Sequence, residues 1–437
     1  MRLTNVAQMS LPPGRLWSYS PRPSGQVGRA LPLSFDQRRH VGEGDRPGSW
    51  MAIAFHPPGD VSPPVLARAW AQMIARHGTL RTAFSRTLGG VLALHEIELG
   101  EGQWVEHPVP DGASTRDALR AVLDRLCAPF ERPSHALCIV QPAEGSGEAP
   151  AVVIGSDHAH VDMWSLLLLA RDLLERIAAI EGDTEPAAPE VAPFSEHTAH
   201  LDRMPPAPGE VHARWAAILE AEGGRMPTFP LPLGDVATAH DEIVEVRDVL
   251  DAAQTRALEQ RAAQHDTRVS AYAMSVLATV TRELAGAPLR AVFPVHSRHE
   301  PRWHDSVGWY ITNSVIECAD PAPRACAAAI KEALTLGSYP LAPLLEPWGG
   351  MPATPGMFAI SWLDTRRLPA APSARGIQYV SAVIRTDGVM IWFIIGEDGL
   401  HLRCRYPDTA EARRNVRAWL DAVEHGLREA TTAATPY

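Results

Sequence analysis

The stretch SDHAHVDMWS, residues 156–165, places two histidines and two aspartates within six positions. It follows the apolar run APAVVIG and precedes the leucine-rich run LLLLARDLL, so the pattern predicts a turn between a buried strand and a helix. Backbone donors and the positive end of the helix dipole gather at such a turn, which suits a polar site. The residues alone leave three interpretations open: a metal site, an acid/base site, and a turn whose polar groups only satisfy each other.

Length and composition limit the classes of protein. A chain of 437 residues predicts two lobes of roughly 200 residues each. Hydrophobic residues make up 46% of the chain and the net charge is −11, so no basic field is available for nucleic acid. The N-terminal sequence lacks the apolar core of a signal peptide, and the longest apolar runs are too short to cross a bilayer. We therefore expect a cytoplasmic protein with no nucleic-acid partner and no stable membrane insertion.

Strand-like and helix-like segments mix in both halves of the chain, which predicts an α/β fold with mixed sheets. A Pro/Ala/Glu-rich stretch from residue 181 to about residue 210 is typical of a linker. The predicted organisation is an N-terminal lobe over residues 1–185, which carries the opening stretch, a linker over 186–210, and a C-terminal lobe over 211–437.

The metal interpretation takes His158, His160 and Asp162 as the ligands of a His-x-His-x-Asp metallo-hydrolase. Such a site needs further ligands and a glycine-rich turn close by, whereas Met163 and Trp164 follow here. Histidines elsewhere in the chain could still complete a site from a distance. The five cysteines are an odd number without a C-x-x-C pair, so they indicate neither a disulfide framework nor a thiolate zinc site.

Other catalytic signatures are missing. The chain has no G-x-S-x-G elbow, no P-loop and no G-x-G-x-x-G motif, so a serine hydrolase and a nucleotide cofactor lose support. A purely structural interpretation stays open at this point, because Asp162 is a good helix cap and His158 could be a packed, hydrogen-bonded residue.

Four further stretches favour the acid/base interpretation, because they occur in a fixed order with the opening one. They resemble the core motifs of the condensation domains of nonribosomal peptide synthetases: PLSFDQRRH (32–40), RHGTLRTAF (76–84), APFERP (128–133) and VHSRHEPRWHDSVGWYITNSVIE (295–317). SDHAHVDMWS then resembles their H-H-x-x-x-D-G-x-S motif. FPLPLGD (229–235), VGWYI and FAISWLD (358–364) further resemble free-standing polyketide-associated acyltransferases.

The resemblance implies two lobes like those of chloramphenicol acetyltransferase, arranged in a V around a central tunnel. It implies that His158 is the catalytic histidine, acting as a general base on the acceptor or stabilising the tetrahedral intermediate. Asp162 is then structural and pairs with Arg298, in a buried and bidentate contact that orients the turn. Two positions depart from the family pattern: Asp157 stands where the family has its first histidine, and Met163 stands where it has glycine.

The resemblance also implies a substrate tunnel and its contents. The candidate tunnel residues lie on the matching stretches, although the aromatic ones could equally be core residues: Trp164, Trp309, Tyr310, Asn313, Ser361 and Trp362. The expected reaction needs no cofactor and no metal, since the donor is an acyl thioester of a carrier protein or of coenzyme A. The acceptor is a small molecule with a hydroxyl or an amine, and the setting is natural-product or lipid biosynthesis.

An acyl or peptidyl carrier protein is the expected partner. Carrier proteins are usually acidic, so a docking surface on this acidic chain would need a local patch of arginines, for which Arg15, Arg22 and Arg29 are candidates. The departures at Asp157 and Met163 keep one alternative open, a condensation-like protein that binds carrier proteins without transferring anything. The metallo-hydrolase remains the other alternative.

Overall fold

The computed structural model describes residues 1–184, 191–368 and 374–432. The strands within these ranges are β1 (Arg2–Asn5), β2 (Gly14–Ser24), β3 (Ala30–Leu31), β4 (Trp50–His56), β5 (Thr82–Arg86), β6 (Leu92–Glu96), β7 (Glu98–His107), β8 (His135–Pro142), β9 (Ala151–Asp157), β10 (His240–Asp251), β11 (Leu289–His296), β12 (Ile311–Cys318), β13 (Phe358–Asp364), β14 (Arg375–Ser381), β15 (Arg385–Thr386), β16 (Val389–Gly396) and β17 (Gly399–Pro407).

The helices in the same ranges are α1 (Phe35–Gly42), α2 (Pro63–Arg76), α3 (Thr115–Leu126), α4 (Met163–Glu181), α5 (Phe194–Leu201), α6 (Gly209–Ala221), α7 (Ala252–Gln264), α8 (Val269–Ala285), α9 (Pro323–Leu336), α10 (Leu341–Leu345) and α11 (Ala410–Thr432). Short 3-10 turns occur between them, including one at His158–His160. The predicted α/β fold with mixed sheets is confirmed. No helix of the described ranges is long and apolar enough to cross a membrane.

The chain divides into two compact units, and the division differs from the predicted boundaries. Unit 1 comprises Met1–Arg203, Arg298–Tyr310 and Leu368–Val383, and unit 2 comprises Met204–Ser297, Ile311–Arg367 and Ile384–Tyr437. Two segments of the second half of the sequence therefore belong to the unit that carries the opening stretch. A boundary drawn along the sequence could not show this, because strand pairing joins segments that are distant in the chain.

The predicted linker also differs from what is observed. Residues 185–190 lie outside the described residues, but the following stretch contains α5 and the start of α6. Phe194 begins α5 and is buried against Trp303 and Tyr310. Burial of one such aromatic side chain contributes about 1.5–3 kcal/mol, which ties this part of the stretch to unit 1 despite its linker-like composition.

Unit 1 is built on a seven-stranded mixed sheet in the order β1-β14-β4-β9-β8-β2-β7, with a small sheet β3-β6-β5 beside it. Strand β14 pairs parallel with β1 and antiparallel with β4. Every residue of β9 is buried, which agrees with the apolar run over residues 151–155. Helix α4 follows β9 and buries the run Leu166–Leu169. Helix α4 packs on α2 and contacts β4 and β9, so the opening stretch lies at the edge of a rigid core.

Unit 2 has its own sheet, in the order β12-β11-β13-β16-β17-β10-β15. Its core includes the inner face of α11, where buried apolar residues recur at helical spacing: Val416, Trp419, Leu420, Val423 and Leu427. The indole N–H of Trp419 donates to the hydroxyl of Thr281 on α8 at 3.1 Å. A buried tryptophan is thereby both packed and satisfied.

Candidate active site

The opening stretch forms the predicted turn between a strand and a helix. Strand β9 ends at Asp157, the 3-10 turn His158–His160 follows, and α4 begins at Met163. The carboxylate of Asp157 accepts a hydrogen bond from the backbone N–H of Ala159 at 2.9 Å. That of Asp162 accepts one from the backbone N–H of Ser165 at 2.7 Å and caps α4. Each aspartate therefore fixes one end of the segment that carries His158.

The two departures from the family motif fit this turn without distortion. Asp157 is completely buried and serves as the cap of the 3-10 turn. Met163 is the first residue of α4, where the backbone is helical and a side chain is tolerated as readily as glycine. Both residues therefore fit the backbone that this turn adopts.

Hydrogen bonding fixes the tautomer of His158. Its Nδ1 lies 3.1 Å from the carbonyl oxygen of Val161. Because a carbonyl oxygen only accepts, Nδ1 carries the proton and Nε2 carries the lone pair. The ring of Trp309 stacks on the imidazole, with 4.2 Å between ring centroids and 30° between the ring planes. The imidazole is thus held by one polar contact at Nδ1 and by an aromatic ring on one face.

The surroundings of His158 keep it neutral. Burial disfavours the charged imidazolium and lowers its pKa from 6.5 to about 4. At neutral pH the side chain is therefore a neutral imidazole with an available lone pair. This is the protonation state that a general base needs.

Asp162 and Arg298 form the predicted buried ion pair. One guanidinium nitrogen of Arg298, Nη2, donates to both carboxylate oxygens of Asp162, at 3.1 and 3.3 Å. The geometry differs from the bidentate contact expected, since the other nitrogen, Nη1, donates to the carbonyls of Trp303 and Ser306. The guanidinium therefore joins Asp162 to the backbone carbonyls of Trp303 and Ser306, and both Arg298 and Asp162 are buried.

Further contacts join the same segment to α4. The backbone N–H of Tyr310 donates to Asp162 at 3.0 Å, and Ser165 exchanges hydrogen bonds with both backbone groups of Gly308. A Cβ atom on Gly308 would lie 2.4 Å from the ring of Phe194, so this close approach requires glycine. The VGWY segment is therefore locked onto the N-terminal turn of α4, and Trp309 is held over His158.

The candidate tunnel aromatics of unit 1 have different surroundings. Tyr310 is buried against Phe194 and Trp303, and the guanidinium of Arg298 lies 3.9 Å from its ring centroid, so it packs as a core residue. Trp164 also contacts Arg298, with 5.2 Å to the ring centroid, and its indole N–H donates to the carbonyl of His304 at 3.1 Å. Of the three, Trp309 is the one that touches His158.

The remaining candidate tunnel residues belong to unit 2. Asn313 lies on β12, opposite Pro294 of β11. Ser361 and Trp362 lie on β13, where Trp362 stacks with Phe393 at 5.6 Å and packs against the core of unit 2. Their place in a substrate tunnel stays a prediction.

The three side chains of the metal interpretation are engaged with different partners. Nδ1 of His160 lies 3.1 Å from the hydroxyl of Ser134, and its buried ring meets Phe84 edge-on at 5.0 Å. Asp162 binds Arg298, as described above. No group of three or more His, Cys, Asp or Glu side chains that could hold a metal ion occurs among the described residues. The geometry gives the His-x-His-x-Asp interpretation no support.

A contact that the sequence did not reveal lies beside Asp157. Helix α1 begins with a capping box in which Ser34 and Gln37 bond each other's backbone N–H groups, and Gln37 also donates to the carbonyl of Ala159 at 2.9 Å. His40, on the same helix, lies with Nε2 3.2 Å from the carboxylate of Asp157. The stretch PLSFDQRRH resembles a family motif, and its S-x-x-Q pattern is also the signature of a capping box.

The arginines considered as a docking patch are largely paired. Arg15 binds Glu106 at 2.6 Å and Arg29 binds Glu96 at 2.8 Å, while Arg22 donates to the uncharged Gln103. Two of the three charges are therefore balanced locally, which weakens this patch as an attractor of an acidic partner.

The mixed sheets and the buried pair of Asp162 and Arg298 beside His158 agree with the condensation-domain motifs of the sequence. Residues 31–333, more than half of the chain, match the family model of the condensation domain, and the chain belongs to that family. The resemblance inferred from the motifs is confirmed.

The known proteins similar to this chain include an acyltransferase and a nonribosomal peptide synthetase. The acyltransferase PapA3 of Mycobacterium tuberculosis is 22% identical over 422 residues, which cover 90% of this chain and 88% of PapA3. A probable non-canonical nonribosomal peptide synthetase, CymA of Salinispora arenicola, is 33% identical over 177 residues, which cover 38% of this chain and only 2% of that protein. The family match and the relative of similar length identify the chain as an acyltransferase, as its sequence predicted.

Solved structures share the fold. The PapA2 acyl transferase superposes with a TM-score of 0.86 at 20% identity, covering 99% of this chain and 100% of that chain. The first condensation domain of the calcium-dependent antibiotic synthetase, in complex with a substrate analogue, gives a TM-score of 0.74 at 15% identity and covers 94% of this chain and 98% of that one.

Proposed function

We propose that the chain transfers an acyl group from a thioester to a hydroxyl or amine, with His158 as the general base. The observation that carries this proposal is the fixed tautomer of His158. Its Nδ1–H is bound to the carbonyl of Val161, so the lone pair resides at Nε2, and the lowered pKa keeps that lone pair available at neutral pH.

The step follows from this protonation state. Nε2 of His158 accepts the proton of the acceptor's O–H or N–H while the acceptor atom attacks the thioester carbonyl. The tetrahedral intermediate then expels the thiolate, which takes up the proton from the imidazolium and leaves as a thiol. An ester or an amide and a free thiol result, and no cofactor or metal is needed because the thioester is already activated.

The donor is a thioester of a carrier protein or of coenzyme A. The named relatives, an acyltransferase and peptide synthetases, support a donor of this chemical class. Asp157 caps the 3-10 turn and Met163 begins α4 as an ordinary helical residue, which favours transfer over the alternative of a protein that only binds a carrier protein.

Product formation tests the proposal. Acetyl-, octanoyl- and palmitoyl-coenzyme A, and palmitoyl-carrier protein, would each be incubated with 2-phenylethanol or with 2-phenylethylamine, and esters and amides would be quantified by mass spectrometry. We expect acyl transfer from at least one donor, with a marked preference for one acceptor type. Carrier-protein binding in a pull-down without any turnover would instead support the binding protein and overturn the transferase.

A further inference from the structure

We propose that His40 is a positioning residue for acyl transfer, which holds Asp157 and Trp309 so that His158 keeps one orientation. The inference rests on the proposed function for its kinetic consequence, although its structural part does not. His40 comes from α1, far from the opening stretch in the sequence. Its ring meets Trp309 edge-on at 5.4 Å, and its centroid lies 5.9 Å from that of His158. His40 therefore contacts Asp157, which caps the turn that carries His158. It also contacts Trp309, whose ring stacks on that of His158.

The proton of His40 can be placed from its two partners. The guanidinium Nη2 of Arg46 lies 3.0 Å from Nδ1 of His40. A guanidinium only donates, so Nδ1 must accept, and the proton of the neutral ring lies on Nε2. Nε2 then donates to the carboxylate of Asp157 at 3.2 Å. Arg46, His40 and Asp157 thus form a directed chain of hydrogen bonds from a cation to a buried anion.

The Arg46 end of this chain is itself fixed. Its Nη1 donates to the carbonyls of His40 and Gly44, at 3.0 and 3.2 Å, and its Nη2 lies 3.2 Å from the carboxylate of Glu43. The guanidinium is therefore anchored to the end of α1 and acts on Nδ1 of His40 from a defined position. The tautomer of His40 is set by the local fold.

At the other end of this chain of hydrogen bonds, Asp157 fixes the turn that carries His158. Burial opposes ionisation of this carboxyl, but the hydrogen bonds and electrostatic interactions with His40, His160 and the N–H of Ala159 together outweigh it, and the pKa of Asp157 lies below its ordinary value. One carboxylate oxygen is bound by His40 and the other by the N–H of Ala159, inside the turn that carries His158. Without His40, one oxygen of a buried carboxylate would lose its partner, which favours movement of the turn toward water.

Removal of His40 should therefore change the surroundings and the pKa of His158. The titratable groups that face His158 are His40 from α1, Asp157 at the end of β9 and Asp162 at the start of α4. In His40→Ala, water enters beside the imidazole, Asp157 acts on it without a competing partner, and Trp309 loses the ring at its face. The first two changes stabilise the imidazolium, so the pKa of His158 should rise from about 4 toward 6.5.

The test compares three variants with the wild type: His40→Ala, His40→Gln, whose amide can still donate to Asp157, and the control His425→Ala, at a histidine that is 73% exposed. His158 would be titrated by NMR in the ligand-free protein with isotope-labelled histidine, its resonance being assigned by its loss in His158→Gln. We expect an upward shift in His40→Ala, partial recovery in His40→Gln, and no shift in the control.

Kinetics with palmitoyl-coenzyme A provide the second measurement. We expect kcat to fall about 10- to 100-fold in His40→Ala with KM nearly unchanged, because a displaced base affects the chemical step more than binding. A His158 titration identical to that of the wild type in a folded His40→Ala protein would overturn the inference, even if that variant melted at a lower temperature. Because the titration needs no substrate, an inactive wild type would contradict the proposed function and leave the titration to decide the role of His40.

Discussion

A single guanidinium nitrogen of Arg298 donates to both carboxylate oxygens of Asp162, although 136 positions separate the two residues in the chain. The same carboxylate accepts the backbone N–H groups of Ser165 and Tyr310. The pair therefore ties the VGWY segment, which carries Trp309, to the turn that carries His158. Its main effect is on the geometry of the site, since a buried ion pair adds little net stability compared with apolar packing.

Breaking this pair should be strongly destabilising. In Arg298→Ala, the carboxylate of Asp162 stays buried without its cation, and we expect a loss of about 3–5 kcal/mol in the free energy of unfolding, measured by denaturant titration. The matched control is Arg324→Ala, which removes an exposed partner of Asp266 and should lose less than about 1 kcal/mol. Equal losses in the two variants would show that the buried pair has no special structural role.

Activity and stability should both depend on pH through two buried histidines, His135 and His160, and the partly buried His158. His135, His158 and His160 each have a pKa lowered to about 4 by burial. The unfolded chain binds protons at these sites below pH 6.5 while the folded chain does not, so stability should fall as the pH drops from about 6.5 to 4. The rate, which needs neutral His158, should stay level above pH 5 and decline toward pH 4.

The melting temperature and kcat/KM measured across this pH range check both expectations. His158→Gln should reduce the number of protons taken up on unfolding, and hence the slope of stability against pH, by about one proton. His425→Ala, at an exposed site, should leave this slope unchanged. A rate that falls with an apparent pKa near 6.5 would contradict the assignment of His158 as a base whose pKa is lowered by its partly buried site.

Trp309 should protect His158 chemically. Its ring stacks on the imidazole, so Trp309→Ala should open one face of the imidazole and speed the reaction of His158 with diethyl pyrocarbonate, followed by peptide mapping. Trp309→Phe keeps an aromatic face and should react at nearly the rate of the wild type. Trp348→Ala, which removes a tryptophan in unit 2, is the control. Unchanged reactivity in Trp309→Ala would show that stacking does not cover the base.

Two capping boxes allow a local test of α1. Ser34→Ala and Ser114→Ala each remove the cap of one helix, α1 or α3, and each should lose about 1 kcal/mol of stability. Gln37→Ala disrupts the capping box of α1 and also removes the hydrogen bond to the carbonyl of Ala159, in the turn that carries His158. We expect a lower kcat in Gln37→Ala and an unchanged kcat in Ser114→Ala. Equal rates in these two variants would show that α1 does not support the site.

The sequence predicted the central part of the site because its signals are local. The strand, the polar turn and the helix around His158 follow from an apolar run, an aspartate cap and a leucine-rich run that are adjacent in the chain. The pairing of Asp162 with Arg298 came from the family resemblance and could not be derived from spacing. Its detailed geometry depends on two backbone carbonyls whose positions no pattern reveals.

Other features escaped the sequence because they depend on contacts between distant segments. The assignment of residues 298–310 and 368–383 to unit 1 follows from packing and strand pairing, not from composition. Helix α5 lies in a Pro/Ala/Glu-rich stretch whose composition predicts a linker, and it is fixed by the burial of Phe194. His40 carries no signal of its own, since its role follows from the proximity of α1 to the end of β9.

The most direct test of the central claim is a comparison of His158→Ala with the wild type in the acyl-transfer assay at neutral pH. A positioned general base contributes about 10²- to 10⁴-fold to the rate, so kcat/KM should fall by a factor in that range while the protein stays folded. His425→Ala should retain the full rate. A folded His158→Ala protein that transfers acyl groups within about threefold of the wild-type rate would contradict the assignment of His158 as the base.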